Sequence, residues 1–363
     1  MTVIRKSLAA AGCALLLAVS AACGGSGKAD AETRARQSLD RLGEWEAVSV
    51  TARIEAPAGR IHEFLRRGHG RGTRPAVSRA DARLLARAEV ALSVGADRPL
   101  KDVGDGDRLD TAASLGFGGP DLAGCRSIGT DFYVRADWTG LAGETGGRHD
   151  TVVQAASLAA SADGLPPSLA AARDLFRGRW VQIDPEEFDH FARAVGGKYG
   201  ERAQRLANSV DLLQSAEAQH RLIRSVRRAL DRHAGFRDAG RADGAERIAV
   251  SLPARAVAGD LSAALEPLEE RAGGIGFAWL EEAPDREVTV VLELRGGTLT
   301  GMVVDLGQFL REEDSGGLGE LPLALDIAPG EAVAVKAPEG ARWLDPQDVM
   351  AAVLYGELGS RAR

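Results

Sequence analysis

Alternation of apolar and polar residues is clearest in VTVVLELRGGTLTGMVVDL, where Val288, Val290, Leu292 and Leu294 fall on one face of a strand. Gly296-Gly297 supplies the two positive-φ positions of a tight hairpin, and Leu299 to Leu306 returns antiparallel. The same period of two marks AVSVTARIEA (47–56) through Val48, Val50 and Ala52. Between Leu85 and Asp137 the short runs ARAEVALSVGA, LDTAASLGFGG, CRSIGT and DFYVRADW are separated by the turn-forming stretches DVGDGD, PDLAG and GTD. That punctuation predicts a meander of antiparallel strands. LPLALDIAPGEAVAVKAP predicts one more strand pair.

Helical periodicity fills the gaps. AETRARQSLDRLGEWE reads as a polar helix carrying Leu39, Leu42 and Trp45, while the arginine-rich stretch 57–85 reads only as loop and helix. Residues 138–177 are helical with a break at GLPP. GRWVQIDPEEFDHFARAVGG is a strand running straight into a helix: Asp184 is the cap, Pro185 needs no donor at the first position, and Glu187 has capping-box spacing. ERIAVSLPARAVAGDLSAALEPL is another strand leading into a helix. The longest pattern, residues 200–230, places Leu206, Val210, Leu213, Leu222, Val226 and Leu230 in an apolar stripe over a charged face, which predicts a helix packed on a core. ARWLDPQDVMAAVLYGEL closes the chain with a strand-like Trp343, a cap at Asp345-Pro346 and a helix carrying Val349, Met350, Val353 and Leu354. Trp180–Glu187 and Trp343–Asp348 share an aromatic residue, a hydrophobic residue, Asp-Pro and then an acid; YVRADWTGLA is a looser copy. Two related halves, 45–195 and 246–358, joined by the long helix would produce such an echo, and so would a local cap motif common in αβ proteins.

The N-terminus has a different logic. Arg5 and Lys6 precede an apolar segment from Leu8 to Val19, and Ser20, Ala21 and Ala22 lead to Cys23. This is the order of an export signal, too short for a permanent span. It assigns 1–22 to a signal peptide, GGSGKADA and Cys23 (23–31) to a flexible tether, and 32–358 to a single α+β domain.

The chain has 45 Lys+Arg against 52 Asp+Glu, a net charge of −7, and two of the basic residues lie in the signal. An acidic, dispersed balance argues against nucleic acid as a partner and against docking on anionic lipid through a basic patch. The preference for arginine over lysine, with abundant alanine and glycine, suits a GC-rich genome such as an actinobacterial one. The three cysteines are Cys13 inside the signal, Cys23 and Cys125, which is no disulfide framework.

Chemistry-bearing motifs are sparse. The histidines are His62, His69, His149, His190, His220 and His233, and HEFLR at 62–66 lacks the second histidine of HExxH. GFGGPDLAG follows a meander strand and opens no capped helix, so it does not suit phosphate. KDVGDGDRLD brings Asp102, Asp105, Asp107 and Asp110 close enough to suggest calcium, but the order of an EF-hand loop is not met and an acidic turn accounts for it. Glu281, Glu282 and Asp285 read as a solvated turn, and Cys125 as a small packed residue. No catalytic, cofactor or metal residue is assigned, and the chain is not expected to be an enzyme. A hydrolase whose site leaves no linear motif is the remaining enzymatic alternative.

LLLAVSAACGGSG, with its thiol directly after small residues, resembles the lipobox of bacterial lipoproteins. The resemblance implies that Cys23 is diacylated on sulfur, palmitate being typical, and becomes the first residue of a protein held on the extracytoplasmic face of the cell membrane. Two acyl chains meet the requirement for stable anchoring. GTDFYVRADWTGLA, GRWVQIDPEEF and VTVVLELRGGTLTGMVVDL are similar to the strand, strand-to-helix and hairpin elements of LppX/LprG-type lipoproteins and the wider LolA/LolB-like superfamily. Over residues 40–357 this implies a strongly curved antiparallel sheet, an open barrel wrapped around helices, whose concave side holds acyl chains. The stretch 186–245, with the long helix, is additional to the family pattern. The implied role is binding or carrying a hydrophobic, lipid-like ligand such as an envelope lipid; the alternative is a structural or interaction lipoprotein with a filled core.

Overall fold

The alternating runs become strands because each presents one apolar face, and nearly all of them join a single sheet. The computed structural model describes residues 29–68, 78–104, 106–147, 150–195, 216–271, 283–310, 316–317, 319–330 and 335–361. Strands β1 (Ala47–Ile54), β2 (Glu89–Gly95), β3 (Asp110–Gly116), β4 (Ala123–Ile128), β5 (Asp131–Ala136) and β6 (Val181–Ile183) come first. They are followed by β7 (Gly235–Ala242), β8 (Ala245–Pro253), β9 (Glu287–Arg295), β10 (Thr298–Asp305), β11 (Pro322–Pro329) and β12 (Arg342–Trp343). Their order across the sheet is β12-β6-β5-β4-β3-β2-β1-β11-β10-β9-β8-β7. Every neighbouring pair is antiparallel except β12 and β6. The sheet is open, with β7 and β12 as its edges.

The helices among the described residues are α1 (Ala29–Gly43), α2 (Ala58–Gly68), α3 (Arg79–Leu85), α4 (Trp138–Thr145), α5 (Asp150–Ser161), α6 (Ala170–Phe176), α7 (Pro185–Val195), α8 (Ala216–His233), α9 (Ala254–Arg271) and α10 (Pro346–Arg361). The architecture is α+β.

Register makes one face of the sheet apolar from edge to edge. Val181, Val134, Cys125, Ala113, Leu92, Val50 and Ile327 are successive cross-strand partners, and Leu325, Met302, Leu292 and Ile248 continue the row on the same face. On this face α1 and α2 bury Leu42, Ile61 and Phe64 against β1 and β8–β11 in a first core, and α5, α6 and α10 pack with Phe132, Val181 and Leu344 in a second. The opposite face carries small and polar residues. Ser49 and Ser93 are buried there with their hydroxyls 2.6 Å apart. Residues 335–341, which lead into β12, lie on this face, where the Lys336 carbonyl accepts a hydrogen bond from Arg126 at 2.8 Å. β12 stands at the edge of the sheet, where it meets β6 in parallel.

Several local expectations are met. Gly296 and Gly297 adopt φ of 59° and 76° at the hairpin. Asp184 caps α7 by accepting the Glu186 N–H at 2.8 Å. The break at GLPP is a pair of 3-10 turns, Ala162–Gly164 and Pro167–Leu169. Residues 57–85 hold α2 and α3, and α3 opens on a capping box between Ser78 and Asp81.

Others are not. Of LPLALDIAPGEAVAVKAP, the first run forms β11, whereas residues 331–334 of the second lie outside the described residues. β7 was not foreseen, because GFRDAGRA has little alternation and is mostly exposed on an edge with a bulge between Asp238 and Arg241. Its hairpin does carry a sequence signal, Asp243-Gly244, with φ of 52° and 75°. Of the long helix, α8 begins at Ala216; Leu206, Val210 and Leu213 lie outside the described residues, as do the side chains of Leu222 and Val226. Leu230 packs on the first core as expected. The two Asp-Pro echoes are direct neighbours: Arg342 pairs with Val181, Trp343 with Gln182, and the Leu344 N–H reaches the Gln182 carbonyl at 2.8 Å.

Candidate functional site

The two cores do not meet. Between them, on the apolar face, Val90, Leu92, Ala113, Leu115 and Cys125 are only half-buried although their strands β2, β3 and β4 are central. Leu92 touches the first core and Cys125 the second, whereas Val90, Ala113 and Leu115 belong to neither. Central strands normally bury such a face completely, so the strip interrupts the sheet–helix packing. Burial pushes the Cys125 thiol up, which keeps it protonated and weakly reactive. Arg87, just past α3, pairs with Glu144 of α4, linking the helices of the first core to those of the second. The strip itself offers methyl and methylene groups and one thiol. Chemically it is suited to apolar contact rather than to proton transfer or metal binding.

The acidic loop is used internally. Asp107 accepts the Gly104 N–H at 2.8 Å and pairs with Arg98 at 2.9 Å; Asp110 accepts the Gly129 N–H at 2.7 Å. Asp102 lies exposed at the end of a 3-10 turn, and Asp105 lies outside the described residues. Among the described residues, no group of three or more His, Cys, Asp or Glu side chains could hold a metal ion. The loop instead anchors α8. Gln219 bonds both the N–H and the carbonyl of Leu109, at 3.0 and 3.1 Å, and the buried His220 ring bonds the Asp107 carbonyl at 3.0 Å.

The other sequence candidates scatter. His233 lies 3.0 Å from Asp260, His190 is exposed, and His62 is on α2. His69 and His149 lie outside the described residues, as do Glu281 and Glu282, while Asp285 is exposed 3.8 Å from Arg255. Cys23 and the signal also lie outside the described residues. No helix among the described residues is long and apolar enough to cross a membrane.

One arrangement had no sequence signal. On the face opposite the strip, the Trp180 ring is flanked by Arg126 at 4.7 Å and Arg135 at 5.2 Å. Burial, and then the neighbouring Arg135 charge, lower the Arg126 pKa. Only the register of β4, β5 and β6 brings these three residues together, from positions up to 54 residues apart along the chain. No family model and no curated protein matches the chain, so the functional reading rests on this geometry and on the sequence.

Proposed function

We propose that the chain is a lipid-anchored, extracytoplasmic binding protein of the LolA/LppX kind, acylated at Cys23, that holds an acyl-chain ligand against the apolar strip between its two cores. The observation that carries this reading is the strip: five apolar residues on central strands, half-buried between two closed cores. Leaving such surface partly in contact with water costs about 25 cal/mol per Å2, and an apolar ligand would recover that energy. A sheet curved around its helices as an open barrel would make the strip a concave wall. The role is binding, not catalysis, because the strip presents no charged or nucleophilic group apart from a half-buried, protonated thiol.

The test is native mass spectrometry of protein purified from membranes, followed by uptake of a fluorescent fatty acid. Bound lipid and saturable uptake are expected. In Ala113→Trp an indole fills the strip, and uptake falls by about tenfold or more while the circular dichroism spectrum is kept. Protein that carries no lipid and takes up no probe fits the alternative, an interaction lipoprotein with a filled core. The anchor is tested separately: a palmitate analogue should label the wild type, and label retained in Cys23→Ala would overturn acylation at that site.

A further inference from the structure

Buried polar atoms without partners are rare in folded proteins, and each calls for a reason. Among the described residues, three of them converge on one spot of the polar face: the Ser114 hydroxyl and the Nε atoms of Arg126 and Arg135. Ser114 of β3 is the cross-strand partner of Gly124 of β4, and Gly124 is that of Arg135 of β5, so the three stand side by side. Arg126 lies two residues further along β4, on the same face. Trp180, just before β6, reaches over Gly124: a Cβ there would meet the indole at 3.1 Å and the Ala113 carbonyl at 3.2 Å. Glycine leaves the slot open, and the indole in it has the Arg126 and Arg135 guanidiniums 4.7 and 5.2 Å from its ring.

Charge at this spot is not balanced. Arg126 donates one N–H to the Lys336 carbonyl at 2.8 Å and forms no ion pair with a carboxylate among the described residues. Arg135 donates to the Asp121 carbonyl at 3.1 Å but comes only within 4.0 Å of the Asp121 carboxylate. The other carboxylates at the ends of β5 are engaged: Asp131 accepts from Tyr133 at 3.3 Å and Gln182 at 3.0 Å, and Asp137 caps α4 through the Gly140 N–H at 2.9 Å. Two guanidiniums therefore share one loosely held, exposed carboxylate. Burial first, and the Arg135 charge second, lower the Arg126 pKa, as expected of a cation short of a counter-charge. The indole offers a cation its π-face but no net charge. With both Nε groups shut off from water and unbonded, the hydration of each cation falls on its outer Nη groups, and an anion held by those groups would compensate both charges. Arg126, Arg135 and Trp180 are each only partly buried, so a solute can reach them.

We propose that Arg126, Arg135 and Trp180 form a binding site for a small oxyanion, the phosphate or carboxylate group of a soluble ligand, on the polar face of β4 to β6. Each guanidinium presents a planar fork of donors that matches two oxygens, and two forks from neighbouring strands can grip one anion between them. The indole, seated over Gly124, fixes where the forks stand. The site lies across the sheet from the apolar strip and uses neither the strip nor Cys23, so its failure would leave the binding of an acyl chain untouched.

The test is calorimetric titration of the full chain with sodium phosphate and, separately, sodium acetate, at an ionic strength held constant with sodium chloride. Saturable binding at about 1 mM is expected for at least one of them, and the tighter of the two names the group. A change in tryptophan fluorescence should accompany it and be absent in Trp180→Phe. Arg126→Gln and Arg135→Gln should each weaken binding by about tenfold. Arg126→Lys, which keeps the charge but loses the fork, should still bind more weakly than the wild type. Because Arg126 also holds the Lys336 carbonyl, circular dichroism accompanies each variant; if Arg126→Gln does not fold, Arg135→Gln and the wild type decide. No saturation by either anion overturns the site. So does binding of equal strength in the wild type and a folded Arg135→Gln variant, which would place the anion elsewhere.

Discussion

The two cores under the sheet are built from different materials. The first is dominated by leucine, isoleucine, valine and methionine, with Leu42, Ile61, Ile248, Leu299, Met302 and Leu325 all fully buried. The second leans on alanines (Ala162, Ala171, Ala172 and Ala352) around Phe132, Phe176 and Leu344. It is supplemented by polar contacts: the buried Asp174 carboxylate meets Arg342 at 3.0 Å and Arg179 at 3.3 Å. The difference teaches where stability resides. The first core gains more apolar burial per side chain, so it should be the last part to open, whereas the second depends on holding a two-residue strand, β12, in place.

Matched truncations are the strongest way to break this comparison. Leu325→Ala should cost about 4 kcal/mol and Leu344→Ala about 3 kcal/mol, since each deletes a fully buried leucine but the second site has less around it to lose. Urea midpoints measure the first quantity. Hydrogen exchange at the Leu344 amide, whose bond to Gln182 pins β12, should accelerate in Leu344→Ala more than amides of β10 do. Equal acceleration throughout would mean that the two cores open as one unit.

The next effect tests the rim of the first core. Gly297→Ala places a methyl group at φ 76° and against the Arg41 guanidinium, which now donates to the Gly296 carbonyl at 2.9 Å. About 2 kcal/mol of destabilisation is expected, read from thermal midpoints, with Thr298→Ala as a local control. In the second core, Asp174→Ala should cost only about 1 kcal/mol, because both arginine partners are well exposed and their charges return to water. Its signature is local: faster exchange at Leu344 with little change in the urea midpoint.

The smallest effect concerns acid. Arg66 first, and Arg67 second, hold the Glu63 carboxylate at a pKa of about 2, below the ordinary 4.5. Because the folded value is depressed, the contribution is complete above about pH 4.5 and fades as pH falls towards 2. The gap between wild type and Glu63→Gln should therefore be larger at pH 7 than at pH 2, and should shrink in high salt because the pair is on the surface. A gap that does not change with pH would remove the ion pair from the stability of α2.

How much of this was readable beforehand varies with the kind of signal. The strands from β1 to β5, and the β9–β10 hairpin, were legible because their apolar residues alternate and their turns are marked by glycine. β7 was hidden because an exposed edge strand needs no apolar face, although Asp243-Gly244 pointed to its turn. The acidic loop showed its carboxylates but not their partners; Arg98 and the amides of Gly104 and Gly129 claim them only after folding. The candidate strip was not legible at all, since Val90, Leu92 and Ala113 look in sequence like any other strand residues.

By itself the sequence determined the period of β1 to β5 and of the β9–β10 hairpin, the turn at Gly296-Gly297 and the cap at Asp184-Pro185, because all of these depend on residues a few positions apart. Tertiary structure decided what depends on distant neighbours. It placed β11 against β1, carried β12 across the sheet to β6, and divided the helices into two cores. Periodicity states which side of a strand is apolar; only packing determines whether that side is covered.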